Sequence, residues 1–142
     1  MTYLDTGCFV KLYYPEPDSV RVIAAIQGKA VCYSPLHRLE FVNALQLKQF
    51  FKSATVAQVT AARALVAADL QSGVLVSVGG DWRDTFQESL KLAEQHTHAL
   101  GCRSLDILHC AAAKVLAASE FLTTDGRQKK LAAAMGLKLV GI

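Results

Sequence analysis

The sequence predicts an α/β fold: three layers, α/β/α, around a central, mostly parallel five-stranded sheet. Three observations lead there. Short apolar runs alternate with longer stretches of helical periodicity along the whole chain. Pro15, Pro17, Gly28, Gly73, Gly101 and Gly136 fall where one segment gives way to the next. No linker, repeat or low-complexity segment divides the chain, so its 142 residues, 52% hydrophobic and 19% charged, read as a single domain, 1–142, with a real core. Strands separated by helices pair in parallel, because each crossover helix returns the chain to the same edge and covers a sheet face.

The first apolar run, "TYL", is a strand. Thr6 to about Tyr14 is a helix, ended by Pro15 and Pro17. Asp18 to Gln27 is a second helix, stopped by Gly28. "AVCY" is a second strand. Ser34 then offers an N-cap and Pro35 suits a first helical position, opening "PLHRLEFVNALQLKQFFK". Ser53 breaks that pattern. Thr55 caps a new helix that stops at Gly73. "VLVSV" is a third strand, and "DWRDTFQESLKLAEQHTHAL" is a long helix ending near Gly101. Ser104 is read as the cap of the helix "SLDILHCAAAKVLAA". "EFLTT" is a fourth strand, "GRQKKLAAAM" a helix stopped by Gly136, and "LKLVGI" a fifth strand.

The net charge of +3 permits a polyanionic partner without indicating one. The four cysteines form no C-x-x-C pair, and a chain of this size needs no disulfide framework. They read as small buried hydrophobes in a reducing compartment. The longest apolar stretch, around Ala111–Ala118, is broken by Lys114 and too short to span a bilayer. A cytoplasmic protein without a membrane partner is expected.

The chemistry lies in the acids. Asp5 follows the first strand and Asp125 follows the fourth, so both point to the carboxyl edge of the sheet, where functional groups gather in folds of this type. Asp106 lies in a first helical turn. Glu40 lies five residues beyond Pro35, about 7.5 Å along a helix that leaves the same edge. Taken singly, Asp5 and Asp125 read as N-caps, and Asp106 as a charge favoured by a helix dipole. Yet Asp106 sits among Leu105, Ile107 and Leu108, and Glu40 between Leu39 and Phe41, where an unpartnered carboxylate is unfavourable. Four carboxylates in one crevice repel each other, and a hard divalent cation such as Mg²⁺ relieves that conflict. Such an ion also activates water for phosphodiester hydrolysis.

Thr6, Asn43 and Thr124, with Thr123, are candidates to orient these acids, their alternative role being capping. Arg38, Arg103 and Arg127, with Lys11, are candidates to grip phosphate or to balance the carboxylates. His109, three residues after Asp106, can reach the site but reads as a packed or hydrogen-bonded helix residue. No further nitrogen or sulfur ligands make a zinc site, and no nucleophile elbow or phosphate-binding glycine loop is present.

The segments "YLDTGCFVKLYYPE", "LEFVNAL", "RSLDILHCAAA" and "FLTTDGRQKKLAAAMGLKLV" resemble, in that order, the PIN-domain ribonucleases, and among them the VapC-type toxins of toxin–antitoxin pairs. The resemblance implies a three-layer α/β/α fold and an endoribonuclease that uses Mg²⁺ or Mn²⁺. It puts the catalytic, metal-binding acids on Asp5, Glu40, Asp106 and Asp125. Gly7-Cys8 departs from the usual pattern of a small polar residue followed by alanine or valine, but no acid is missing. RNA is the implied substrate and a small antitoxin an implied partner. Two other classes remain open: a non-catalytic PIN-like binding module, and a phosphoryl-transfer or receiver-type domain. The second wants a D-x-D pair that "LDTGC" lacks.

The helices between Leu36 and Ser72 carry much apolar surface. Val56, Val59, Ala62, Leu65, Val66 and Leu70 cover more than one stripe, and Phe41, Leu45, Leu47, Phe50 and Phe51 add to it. Either the pair is deeply buried, or the surplus closes a homodimer, grips an antitoxin, or both. A homodimer is expected.

Overall fold

In the computed structural model, which describes residues 1–142, the chain enters the sheet at its middle. Strand β1 (Thr2–Leu4) is followed by α1 (Thr6–Tyr13), α2 (Ser19–Ile26), β2 (Val31–Tyr33), α3 (Pro35–Phe50), α4 (Val56–Ser72) and β3 (Leu75–Ser77). Then come α5 (Trp82–Leu100), α6 (Ser104–Val115), β4 (Glu120–Leu122) and α7 (Gly126–Ala134). The sheet order is β3-β2-β1-β4, with every pair parallel. Thr2 stands opposite both Val31 and Glu120, and Leu4 opposite Leu122.

The two-residue period of the strands sorts the core into two halves. Leu4, Val31, Leu75 and Leu122 face one side and pack with Phe9, Val22, Phe41, Leu45 and Val66 from α1–α4. Tyr3, Cys32 and Phe121 face the other and pack with Leu92, Ile107, Cys110 and Leu131 from α5–α7. These are the three layers expected. All four cysteines are buried and unpaired. No helix is long and apolar enough to cross a membrane.

The sheet has four strands, not five. The segment read as a fifth strand makes one isolated parallel bridge, Leu139 to Phe121. Phe121 N–H donates to Lys138 O and Val140 N–H to Phe121 O, at 2.8 and 2.9 Å. Leu137 N–H is already committed to Ala132 O, closing the end of α7. Beyond that single bridge the segment does not form a ladder with β4. The glycine stops hold: Gly73 (φ +80°) and Gly101 (φ +63°) end α4 and α5 in the left-handed region where only glycine is unstrained.

The surplus of apolar surface is smaller than the sequence suggested. Val59, Ala62 and Val66 of α4 lie in the core, while Val56 and Leu65 are exposed. On α3 and the corner after it, Leu39, Leu47, Phe50 and Phe51 are exposed.

His37 ties α3 to the end of β1. The Ser34 hydroxyl accepts from His37 N–H, and His37 Nδ1 accepts from Ser34 N–H at 3.2 Å, a reciprocal cap. His37 Nε2–H donates to Leu4 O at 2.7 Å, immediately before Asp5. With Nδ1 accepting and Nε2 donating, the ring is neutral. Burial, then the neighbouring His109, pushes its pKa down from 6.5 to about 4, against the pull of the Leu4 carbonyl.

This gives a pH dependence of known sign. The unfolded chain protonates at His37 below pH 6.5 and the folded chain does not until about pH 4. Its share of stability is therefore whole above the upper value and is lost as pH falls toward the lower one. Between about pH 7.5 and pH 5 the loss should be on the order of 2 kcal/mol in urea unfolding. His37→Gln should lower stability at pH 7.5 and remove that part of the slope; an unchanged slope in the variant would refute the assignment.

Candidate active site

The strand order reverses at β1: the chain runs outward through β2 and β3, then returns to place β4 on the other side of β1. A crevice opens at such a switch point, outside the carboxyl ends of the two strands. Here it is a cleft of about 630 Å³. Asp5, Glu40, Asp106 and Asp125 all line it, and among its lining residues only Leu105 is apolar.

Each acid is held differently. Asp5, 7% exposed, is the N-cap of α1. Its Oδ1 accepts from Cys8 N–H at 2.7 Å and its Oδ2 from the Thr123 hydroxyl at 2.6 Å. Asp5 N–H donates to Leu122 O, carrying the β1–β4 pairing to the cleft floor. Asp125 is the N-cap of α7, its Oδ1 accepting from the N–H groups of Arg127 and Gln128 at 2.8 and 2.9 Å. Asp106, in the first turn of α6, is gripped by Arg103: Nε donates to Oδ2 at 3.1 Å and Nη2 to Oδ1 at 3.4 Å. Glu40 Oε2 accepts from the Thr6 hydroxyl at 2.6 Å and from His109 Nε2 at 2.5 Å. Burial pushes the Glu40 carboxyl up, but the bond to His109, its charge and the Thr6 hydroxyl outweigh that, leaving it below its ordinary value. The capping and clustering readings thus describe the same residues.

The departure at Gly7-Cys8 leaves this arrangement intact. Cys8 is fully buried, and burial, then the Asp5 charge, pushes its thiol up, so it stays neutral beside the carboxylate. A Cβ at Gly7 would sit 3.6 Å from Asp5 Oδ1, an ordinary contact.

The supporting residues divide. Thr6 adjoins Asp5 in sequence, but its hydroxyl holds Glu40. Thr124 lines the cleft, but its hydroxyl accepts from Lys11 Nζ at 3.1 Å and touches no acid. Thr123 does the orienting, since it is buried while Thr124 is exposed. Asn43 is exposed, lies outside the cleft lining and lines a separate, mainly apolar groove beside Glu40. Arg103 is at the cleft, bound to Asp106. Arg38 and Arg127 are exposed and do not line it; Arg127 Nη1 donates to Gly101 O at 3.3 Å.

Two cleft residues were missed or undervalued. His109, read as a structural helix residue, is buried and joined to Glu40. Gln128, 1% exposed, donates from Nε2 to Asp106 O at 3.1 Å, while its Oε1 has no partner. Its signal was present: Gln128 shares a helix face with buried Leu131, three residues on.

Four carboxylates with oxygen-only donors match a hard divalent cation, not zinc or copper. The match is one of donor chemistry: as they stand, no three acidic, imidazole or thiol side chains are gathered tightly enough to hold one ion. Asp106 is turned to Arg103, and one oxygen of Glu40 is turned to Thr6 and His109.

A model of the PIN domain family matches residues 2–134. The crystal structure of FitAcB from Neisseria gonorrhoeae superposes with a TM-score of 0.64 at 16% identity, over 99% of this chain and 97% of that one. VapC20 of Mycobacterium tuberculosis, a sarcin–ricin loop cleaving toxin, gives 0.66 at 16% identity over 94% and 95%. VapBC2 from Rickettsia felis, bound to a DNA fragment from their promoter, gives 0.64 at 17% identity over 98% and 97%. At these identities the likeness is one of fold. No curated protein matches by sequence.

The double duty of Asp125 can be separated. Asp125→Asn keeps an acceptor for the start of α7 and should change metal-free stability by only a few tenths of a kcal/mol, whereas Asp125→Ala should cost about 1 kcal/mol. Urea unfolding in chelator measures both; equal losses would show that the charge, not the cap, holds the helix.

Proposed function

Because the chain belongs to the PIN domain family, we propose that it is a metal-dependent endoribonuclease and the toxin of a toxin–antitoxin pair. The observation that carries this reading is the cleft at the switch point, lined by Asp5, Glu40, Asp106 and Asp125 with a single apolar residue. These four are the proposed catalytic and metal-holding acids, with Mg²⁺ the proposed ion and Mn²⁺ a substitute. The fold likeness to a sarcin–ricin loop cleaving toxin supports RNA as the substrate. The receiver-type alternative falls away with the family match.

When bound, the ion supplies a more acidic water and neutralises charge on the phosphodiester and its leaving oxygen. The protein's own groups do the rest. Cys8 N–H and Thr123 hold Asp5 at the cleft floor, and the first N–H groups of α7 hold Asp125. Arg103, with most of its side chain in solvent, stands at the rim, where its guanidinium can meet an incoming phosphate.

RNA cleavage should require Mg²⁺ or Mn²⁺ and stop in EDTA. Asp5→Asn and Asp106→Asn should each slow it about a hundredfold or more while the fold persists, since losing the ion's stabilisation of developing charge is worth several kcal/mol. Full activity in either variant, in a preparation free of contaminating nuclease, would remove the assignment. Binding of RNA without any cleavage in metal would favour the non-catalytic alternative.

The partners proposed are a second copy and a small antitoxin. Exposed Leu39, Leu47, Phe50, Phe51, Val56 and Leu65 along α3 and α4 support an apolar interface there. Light scattering should give a dimer, and Phe50→Asp with Phe51→Asp should reduce it to a monomer that keeps the wild-type circular dichroism spectrum and loses the concentration dependence of its melting temperature. Added antitoxin should suppress cleavage. A wild-type monomer at high concentration would remove the dimer.

A further inference from the structure

The pairing of His109 with Glu40 is more than packing. The imidazole is 3% exposed and held at both nitrogens. Nδ1 lies 3.0 Å from Tyr3 Oη on β1, and Nε2 lies 2.5 Å from Glu40 Oε2 on α3. An ionised carboxylate only accepts, so Nε2 carries the proton. The Thr6 hydroxyl, at the start of α1, donates to the same oxygen at 2.6 Å. Both bonds fall on Oε2, which leaves Oε1 as the free ligand atom of Glu40. Tyr3 itself is wholly buried, stacked on Phe121 with ring centroids 5.8 Å apart, so the far end of the chain cannot shift.

We propose that His109 is a positioning residue. With Thr6, it fixes Glu40 through Oε2 and presets Oε1 for the divalent cation of the cleft. This rests on the metal-dependent reading above. A glutamate side chain left to itself samples several rotamers, and freezing it opposes binding. Here that ordering is built in before the ion arrives. His109 also lies one helical turn after Asp106, so α6 carries one acid and orients another. Outer partners of ligating groups typically alter metal affinity by about 10- to 100-fold.

The test is Mn²⁺ binding to the whole protein by titration calorimetry, with RNA absent. His109→Leu should weaken Mn²⁺ binding about 10- to 100-fold. His109→Gln, which retains an N–H donor near the Nε2 position, should recover most of the loss. Thr6→Val removes the other donor to Oε2, and with it the 3.0 Å contact of that hydroxyl with His109 Nε2, and should also weaken binding. It keeps the test open if His109→Leu fails to fold, as a metal-free melt would reveal. Wild-type affinity in both His109→Leu and Thr6→Val would overturn the positioning role and leave the metal reading standing. Equal weakening in His109→Gln and His109→Leu would show that the ring only fills space. A wild-type protein that binds no Mn²⁺ would overturn both.

Discussion

Four carboxylates line one cleft, and giving each of them a donor is the constraint around which the rest of the structure is arranged. The fold answers it with helix ends. Asp5 caps α1, Asp125 caps α7, and Asp106 sits in the first turn of α6. Three helix N-termini, each with unsatisfied N–H groups and the positive end of a dipole, thus meet three acids. Parallel topology accounts for α1 and α7, because a helix that directly follows a strand begins at the carboxyl edge, whereas α6 follows α5 and reaches the cleft through that helix pair. Glu40 is the exception. It lies beyond the first turn of its helix and takes its donors from Thr6 and His109 instead.

The supports of the site run down into the core. Tyr3, His37 and His109 form a buried cluster whose ring centroids lie 4.7 to 5.8 Å apart. Each ring also makes a hydrogen bond that reaches another element. The strands are only three residues long, so the sheet alone gives little rigidity. Polar links beneath the cleft supply it: His37 to Leu4 O, Thr123 to Asp5, and Gln128 to Asp106 O. Buried polar links of this kind specify one arrangement of the core, though Gln128 Oε1 is left without a partner.

Errors in the sequence reading fall where geometry, not composition, decides. Thr123 and Thr124 are chemically alike, but one is buried against Asp5 and the other exposed beside Lys11. The apolar positions of α4 cover more than one stripe in the sequence, which leaves burial or exposure open, and the helix rotation puts Val59, Ala62 and Val66 inside and Val56 and Leu65 outside. The segment after Gly136 has strand composition, but its first residue is spent on closing α7. Asn43 is the right type of residue one turn from Glu40, and it faces a different groove.

The sequence by itself determined the alternation of strands and helices, the glycine and proline stops, and three acids at strand ends and helix starts with a fourth, Glu40, farther along its helix. Those features depend on a period of two or 3.6 residues and on caps within one turn, so the information is local. Tertiary structure alone decided that His109 orients Glu40 across 69 residues and that Thr123 orients Asp5 across 118. It also decided how α4 is turned and that the sheet stops at four strands. Such pairings require the strand order and the rotation of each helix about its axis, which no local period encodes.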